Sequence, residues 1–208
     1  MPVFEDDCYA DLIWDGQRPP AIHAISGAGG GVIHIGSFSK SVAPALRVGY
    51  IVAPWQILSQ MLAMKTDAGS GALEQMVLAE YCAAHFSSHV PKLRRGLRAK
   101  LETLMDALNA QFGTTAEFED PRGGIFLWIK LPDGVDTMKL YQAALKAGVS
   151  INPGTEWSTD KAYSNSRLRL CFASPSHDEI REGVAILADI CRREFGVPER
   201  SANVGARV

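Results

Sequence analysis

A short polar loop between two apolar runs carries the residues whose types and spacing best suit chemistry. In "GSFSKSVAPALRVGYIV" the loop contains Ser37, Ser39 and Lys40, and Arg47 follows seven residues after the lysine. The flanking runs, VIHIG and VGYIV, are typical of buried strands. A lysine between buried strands is unfavourable unless its amine is paired, solvated or made neutral. Condensation with an aldehyde makes it neutral and is how lysine serves as a covalent catalyst, so we predict that role for Lys40.

A cofactor that carries an aldehyde, such as pyridoxal phosphate, also needs a phosphate site. Ser37 and Ser39 can supply hydroxyl donors, and the planar guanidinium of Arg47 can supply several N–H donors at once. We therefore expect these three side chains to bind a phosphate group beside Lys40.

The same cofactor needs a carboxylate for its ring nitrogen. Asp6 ends the first predicted strand, VFED, and Tyr9 follows three residues later. Asp6 can pair with a protonated pyridine nitrogen, and Tyr9 can donate its hydroxyl to the phenolic oxygen of the ring. The carboxyl ends of neighbouring parallel strands meet at one edge of an α/β sheet, so we expect Asp6 to lie near the Lys40 loop.

The order of predicted elements indicates two domains. Helices dominate from residue 54 to residue 112, with Pro91 beginning a separate helix; short strands then alternate with two further helices. This order predicts an α/β region followed by a small α+β domain. The expected divisions are a partial large domain over 1–89, a small C-terminal domain over 90–198 and a disordered tail over 199–208.

The composition and net charge of the chain argue against several classes of binding partner and of cellular location. The 208 residues carry a net charge of -2 with no long basic run, which argues against a nucleic-acid partner. No apolar stretch is long enough to span a bilayer, and we expect a cytoplasmic protein without a membrane partner. His85 and His89 lack a nearby third ligand, so we expect no metal site. The cysteines expected to be reduced thiols are Cys8, Cys82, Cys171 and Cys191.

Four motifs in sequence resemble a known family. "EDDCY", "SFSK" with its following arginine, "PRGGIFLWIKLP" and "RLRLCF" together resemble the fold-type I, class I/II aminotransferases that use pyridoxal phosphate, from about Val3 to Phe195. The form EDDxY is similar to the subgroup of 2-aminoadipate and kynurenine aminotransferases, and to the aminotransferase-like domains of MocR-type regulators. The resemblance implies the later part of that family's large domain, with a mixed, mostly parallel sheet, followed by its small C-terminal domain.

The resemblance also implies individual roles. Lys40 would be the Schiff-base lysine and proton shuttle, and Asp6 and Tyr9 would complete the catalytic set. Arg169 would bind the α-carboxylate of the substrate, with Arg167 facing the other way along the strand. Gly123 and Gly124 would either leave room for substrate or form the turn before a strand. The implied cofactor-binding residues are Asp6, Tyr9, Ser37, Ser39, Lys40 and Arg47.

The implied reaction transfers an amino group from an amino acid to a 2-oxo acid in a homodimer. Two alternatives stay open: another pyridoxal-phosphate reaction, such as β-elimination or decarboxylation, and a ligand-sensing domain of a MocR-type regulator. Chains of this family are longer at the N-terminus, so we expect an N-terminal truncation here. A truncation of that kind predicts an open sheet edge and exposed apolar residues in the first domain.

Overall fold

The computed structural model describes residues 2–27, 31–67 and 69–199. The chain forms two compact units: the first runs to Arg95 and includes Arg122–Gly124, and the second comprises Gly96–Pro121 and the chain from Ile125 onwards. The tail predicted to be disordered, 199–208, lies outside the described residues except for Glu199. No helix in the described ranges is both long enough and apolar enough to cross a bilayer.

A three-stranded sheet forms the frame of the first unit. Its elements are β1 (Val3–Asp6), α1 (Ile22–Ser26), β2 (Val32–Ser37), β3 (Gly49–Val52) and α2 (Trp55–Met64). The strand order is β1-β2-β3. β1 runs parallel to β2, with Asp6 opposite Ile35, and β3 runs antiparallel to β2, with Gly49 opposite Ser37. The parallel neighbours that the sequence predicts are therefore confirmed.

The long helix α3 (Ala72–Phe112) contributes residues to both units. Pro91 lies inside this helix, so the prediction that Pro91 begins a separate helix is wrong. A proline inside a helix removes one backbone hydrogen bond and costs about 3 kcal/mol. The apolar face that follows it offsets this cost, because Leu97, Leu101 and Leu104 are all buried.

The second unit has an antiparallel sheet with helices. Its further elements are β4 (Glu117–Phe118), β5 (Phe126–Lys130), α4 (Thr137–Lys146), β6 (Asn152–Pro153), α5 (Lys161–Ser164), β7 (Arg167–Cys171) and α6 (His177–Phe195). The strand order is β4-β5-β7-β6. Ser176 caps α6 in a capping box with Glu179. The α/β class with a small α+β domain is confirmed.

Burial differs sharply between the two units. Of the 29 buried apolar residues in the described part of the chain, five belong to the first unit. Conversely, of the 19 large apolar residues that are exposed among those described, fifteen belong to it, including Phe4 at 65% exposure and Trp55 at 67%. The prediction of exposed apolar residues is thus confirmed. The prediction that β1 and β3 are buried is wrong, because they are the outer strands of the sheet and their side chains remain largely exposed.

One carboxylate ties β1 to its neighbours. Glu5 accepts hydrogen bonds from the backbone N–H groups of Ile22 (2.6 Å) and His23 (3.0 Å), and its Oε2 atom lies 3.0 Å from Nδ1 of His34. Burial alone would raise the pKa of Glu5, but these hydrogen bonds outweigh it and lower the pKa from 4.5 to about 2. Glu5 therefore connects β1 both to β2 and to the start of α1.

Glu5, Asp7 and His34 also bring potential metal-ligand atoms within 4.8 Å of one another. Asp7, however, pairs with Arg18 at 2.5 Å, and the Glu5 oxygens accept the hydrogen bonds described above. We interpret the cluster as structural, because protein donors already use its acceptor atoms.

We expect Glu5→Gln to flatten the pH dependence of stability. A lowered folded-state pKa stabilises the fold above pH 4.5, and this contribution is lost as pH falls from 4.5 towards 2. Urea unfolding measured across this range should show the loss for the wild-type chain and a weaker loss for the variant. Glu182→Gln, on the exposed side of α6, is the control for removing one negative charge. Identical pH slopes for wild type and Glu5→Gln would show that Glu5 has no such role.

Gly154 allows a close approach of backbone segments in the second unit. A Cβ atom at this position would lie 2.5 Å from the carbonyl oxygens of both Ser164 and Arg167. Backbone atoms cannot move aside as a flexible side chain can. The turn that contains Gly154 is therefore held directly against the start of β7.

We expect Gly154→Ala to lower the free energy of unfolding by about 1–3 kcal/mol, because the added methyl group overpacks this contact. Gly183→Ala is the matched control: its Cβ would meet its nearest atom at 4.0 Å inside α6. That variant should gain about 0.5–1 kcal/mol from the helix propensity of alanine. Urea titrations measure both, and equal stability of the two variants would contradict the packing role of Gly154.

Candidate active site

Two segments that the sequence predicts to be functional lie at the same edge of the first unit's sheet. Asp6 is the last residue of β1, and the loop that contains Lys40 begins where β2 ends at Ser37. The N–H group of Asp7 donates to the carbonyl oxygen of Ile35 at 2.9 Å, so the pairing of β1 with β2 continues to this edge. Parallel pairing is the reason that both carboxyl ends lie here.

The pKa of the Cys8 thiol depends on the charged side chains around it. Its pKa is raised to about 11, first by burial, then by a hydrogen bond to the Asp6 side chain and by the negative charges of Asp6 and Asp7. The positive charge of Lys40 acts on the same thiol in the opposite direction. The N–H group of Cys8 also donates to Oδ1 of Asp6 at 3.2 Å. Asp6 and Lys40 therefore both influence one side chain at this edge of the sheet.

The side chain of Lys40 is exposed. The expectation of an amine buried between strands is wrong, because the loop extends past the end of β2 and β3 itself is exposed. Because the amine of Lys40 is exposed, it does not carry the desolvation cost on which its prediction from the sequence was based. The position of its loop at the sheet edge where β1 ends in Asp6 now carries the hypothesis instead.

The serines of the loop are held by local hydrogen bonds. Oγ of Ser37 accepts the N–H group of Ser39 at 3.1 Å, and the N–H group of Val42 donates to the carbonyl oxygen of Phe38 at 2.8 Å. A hydroxyl that accepts such a bond still has its own hydrogen to donate. Ser37 can therefore stabilise the turn and donate to an anion at the same time.

Ser41 is a candidate that the sequence analysis missed. It is 2% exposed, and its Oγ atom has no hydrogen-bond partner within the described ranges. A buried hydroxyl without a partner costs about 1–3 kcal/mol. Its position directly after Lys40 makes it a candidate contact for a bound polar group. Only the S-K-S spacing could have suggested it from the sequence.

Arg47 has an unusual backbone conformation. Its φ is 52°, and it is the one non-glycine residue with positive φ in the part of the chain that the structure describes. Its Nη1 atom donates to the carbonyl oxygen of Pro44 at 3.2 Å, and the side chain is exposed. Non-glycine residues in this region cost roughly 1–2 kcal/mol, and such conformations are concentrated at functional sites.

Tyr9 lies in the turn that leaves β1. Its carbonyl oxygen accepts the N–H group of Leu12 at 2.9 Å, which closes a helical turn over residues 10–12. The residue is 39% exposed. Tyr9 and Asp6 therefore leave the same strand end with the three-residue separation noted in the sequence.

Gly123 allows its backbone to pack closely against the backbone of Leu12 and Ile13. A Cβ atom there would lie 2.7 Å from the carbonyl oxygen of Leu12 and 2.9 Å from Cα of Ile13. Gly124 has φ 90° and donates its N–H group to the same carbonyl oxygen at 3.0 Å. Of the two roles considered for this pair, the structure supports the turn.

Arg169 belongs to the second unit and lies on β7. The Nε atom of Arg169 is buried and lacks a hydrogen-bond partner among the described residues. Arg167 has the same partial burial two residues earlier, so the two arginines share one face of the strand. The expectation that Arg167 faces the other way is wrong, because side chains alternate with a period of two residues.

The residues of the first unit fit pyridoxal phosphate in their chemistry. A carboxylate, a phenol and an amine match the ring nitrogen, the phenolic oxygen and the aldehyde of this cofactor. Hydroxyl donors and a guanidinium match its phosphate. The partnerless Oγ atom of Ser41 adds a polar group with unused hydrogen-bonding capacity beside the lysine.

Comparison with known proteins identifies relatives across most of the chain. The family described as Aminotransferase class I and II matches residues 1–187. An uncharacterized HTH-type transcriptional regulator of Bacillus subtilis, YdfD, is 34% identical over 187 residues, which cover 88% of this chain and 38% of that protein.

Two solved structures are similar in both fold and sequence. LysN, an α-aminoadipate aminotransferase from Thermus thermophilus solved with N-(5'-phosphopyridoxyl)-L-leucine, has a TM-score of 0.82 and 32% identity; the match covers 91% of this chain and 49% of LysN. A kynurenine aminotransferase from Pyrococcus horikoshii has a TM-score of 0.82 and 31% identity, over 93% and 48% of the two chains.

The chain thus spans about half the length of the solved relatives, or less in the case of the regulator. The chain belongs to the class I and II aminotransferases, a family whose cofactor is pyridoxal 5'-phosphate.

Proposed function

We propose that this chain binds pyridoxal phosphate and takes part in transamination, in which an amino acid becomes its 2-oxo acid while a second 2-oxo acid becomes an amino acid. The observation that carries the proposal is the parallel pairing of β1 with β2, which brings Asp6 and the start of the Lys40 loop to one edge of the sheet. When bound, the cofactor supplies an electron-withdrawing ring that stabilises negative charge at the α-carbon of the amino acid.

Each residue then has a defined task. Lys40 would hold the cofactor through Nζ and would also move the proton at the α-carbon of the amino acid. Asp6 would keep the ring nitrogen protonated, and Tyr9 would donate to the phenolic oxygen. The phosphate would be held by Ser37, Ser39 and Arg47.

Arg169 would bind the α-carboxylate of the amino acid. A guanidinium can form two parallel hydrogen bonds with a carboxylate, and the partnerless Nε atom of Arg169 is one of its five N–H donors. Arg167 is less suited, because it donates to the carbonyl oxygen of Tyr163.

The proposal also includes an oligomeric state and a cellular location. We infer that the full-length protein is a homodimer, in which a partner subunit covers part of the exposed apolar surface of the first unit. We infer a cytoplasmic location from the four cysteines, all of which are free.

A second function has support in the relatives. YdfD is an HTH-type transcriptional regulator, and so is NorG of Staphylococcus aureus, which is 35% identical over 188 residues. In this case the same residues would bind the cofactor as part of a sensor. The coding sequence upstream of Met1 distinguishes the two, because a regulator of this type would encode a winged helix-turn-helix there.

Product analysis separates transamination from other pyridoxal-phosphate reactions. The chain is supplied with cofactor, an amino acid and a 2-oxo acid. A new amino acid supports transamination. Pyruvate with ammonia indicates β-elimination, carbon dioxide indicates decarboxylation, and cofactor binding without any product favours the sensor.

We expect sodium borohydride to fix the cofactor to Lys40, because reduction makes the bond between the amine and the aldehyde carbon irreversible. Peptide mass spectrometry locates the adduct, which Lys40→Ala should abolish. Lys65→Ala is the matched control, since Lys65 is also an exposed lysine of the first unit and pairs with Asp67 at 2.6 Å. An adduct on another lysine in the wild-type chain would refute the assignment of Lys40.

We expect Arg169→Ala to weaken amino-acid binding by about 10- to 150-fold, the usual worth of hydrogen bonds to a charged group. Cofactor affinity should stay within about 3-fold, because the proposed cofactor residues lie in the other unit. Titrations that follow the cofactor's absorbance measure both constants, with Arg167→Ala as the control on the same strand face. Equal losses of amino-acid and cofactor affinity would assign Arg169 a structural role.

A further inference from the structure

The guanidinium of Arg169 lies between two aromatic rings. Its central carbon is 3.3 Å from the ring centroid of Trp157 and 3.8 Å from that of Phe126. Cations are attracted to aromatic ring faces at such distances. Trp157 and Phe126 together, named here the aromatic clamp, therefore contact the same charged group.

The backbone around Trp157 explains why its ring reaches β7. Pro153 of β6 pairs with Leu168, and the glycine that follows is packed against backbone carbonyl oxygens of the second unit. The N–H group of Trp157 then donates to the carbonyl oxygen of Gly154 at 2.9 Å, which closes the turn. The indole is thus held beside Arg169 by a backbone segment with little freedom.

Phe126 reaches the same guanidinium from the neighbouring strand. It lies on β5, where it pairs with Cys171, and the strand register places Trp128 directly opposite Arg169. Residues at diagonal positions on paired strands are within reach of aromatic side chains. The position of this second ring is therefore set by the sheet itself.

A stacked guanidinium can bind other groups only along its edge. Its five N–H donors lie in the plane of the group, and stacking leaves that plane accessible while covering the faces. Nε is buried and has no hydrogen-bond partner in the described ranges of the chain, so at least one edge donor has unused capacity. The edge geometry matches a carboxylate, which accepts two parallel hydrogen bonds in one plane.

The neighbouring arginine provides an internal comparison. Arg167 also stacks on a ring, with its central carbon 3.7 Å from the centroid of Tyr163. Its guanidinium, however, donates to the carbonyl oxygen of that same tyrosine. Of the two arginines on this face, Arg169 is the one with a buried donor atom that lacks a partner.

We propose that the aromatic clamp orients Arg169 for a carboxylate, so that Trp157 and Phe126 are positioning residues for carboxylate recognition. This inference rests on the proposed role of Arg169 and adds the residues that set its orientation. Its alternative is that the two rings stabilise the fold without affecting ligand binding.

The test uses the full chain labelled with ¹⁵N-arginine. Arg169→Lys assigns the Nε–H resonance of Arg169 by its disappearance, and the chain is then titrated with sodium acetate as a carboxylate probe. Sodium chloride at equal ionic strength is the control for screening. We expect acetate to shift this resonance to saturation and chloride to shift it far less, because a carboxylate forms two parallel hydrogen bonds in the guanidinium plane and a single chloride ion cannot.

Two variants of Trp157 separate ring stacking from packing. Trp157→Met keeps an apolar side chain without a ring face, and Trp157→Phe keeps the ring. We expect the methionine variant to raise the half-saturating acetate concentration by about 3- to 30-fold, the range of a partly desolvated cation–π contact. The phenylalanine variant should stay within about 3-fold of wild type.

Tyr163→Met is the matched control. Tyr163 is 51% exposed and stacks on Arg167, whereas Trp157 is 52% exposed and stacks on Arg169. Circular dichroism and thermal unfolding record any loss of stability in each variant. We expect the control to leave the acetate response of Arg169 unchanged, even where it lowers thermal stability as much as Trp157→Met does.

Three outcomes would overturn the inference: no acetate shift in the wild-type chain, an unchanged half-saturation in Trp157→Met, or an equal increase in Tyr163→Met. If Trp157→Met does not fold, the same titration of Phe126→Leu decides, with the same expected increase. The borohydride experiment on Lys40 is independent of this one. If the chain does not bind the cofactor but its acetate response is intact, the proposed function is rejected. The role proposed for the aromatic clamp is then still supported.

Discussion

The parallel pairing of β1 with β2 is the constraint on which the site in the first unit depends. It brings the carboxylate that ends one strand to the same edge as the loop that leaves the other. Glu5 stabilises this pairing, since its carboxylate contacts both His34 on β2 and the backbone at the start of α1. The same short strand therefore supplies a structural acid, Glu5, and at the next position Asp6, the acid that we propose pairs with the cofactor. Alternation of side chains allows this division, because neighbouring residues point to opposite faces.

Much of the architecture follows from the sequence alone. Apolar runs predicted the strands of the site, and the order of elements predicted the helical region that contains α3. Motif order identified the family, because four separated motifs in the correct order are far more specific than any one of them. These features are local or strictly ordered along the chain, so no three-dimensional information is needed to recognise them.

The features that the sequence predicted wrongly, or did not predict, also have physical explanations. Pro91 is a strong helix-breaking signal, but burial of the leucines that follow outweighs one lost hydrogen bond. The exposure of Lys40 could not be read from flanking apolar runs, because burial depends on what packs over a strand. The ring contacts of Arg169 join residues from three segments, and the hydroxyl of Ser41 is notable only for its burial. Such properties arise from tertiary packing.

The distribution of apolar residues has a thermodynamic consequence. The heat capacity of unfolding increases with the apolar surface that becomes hydrated when a chain unfolds. Fifteen large apolar residues of the first unit are already in contact with solvent in the folded chain, including Ile25 and Met64. Unfolding this unit therefore hydrates less additional apolar surface than unfolding a well-packed domain of the same length. Its stability should vary with temperature along a flatter curve than that of the second unit, with weaker cold destabilisation.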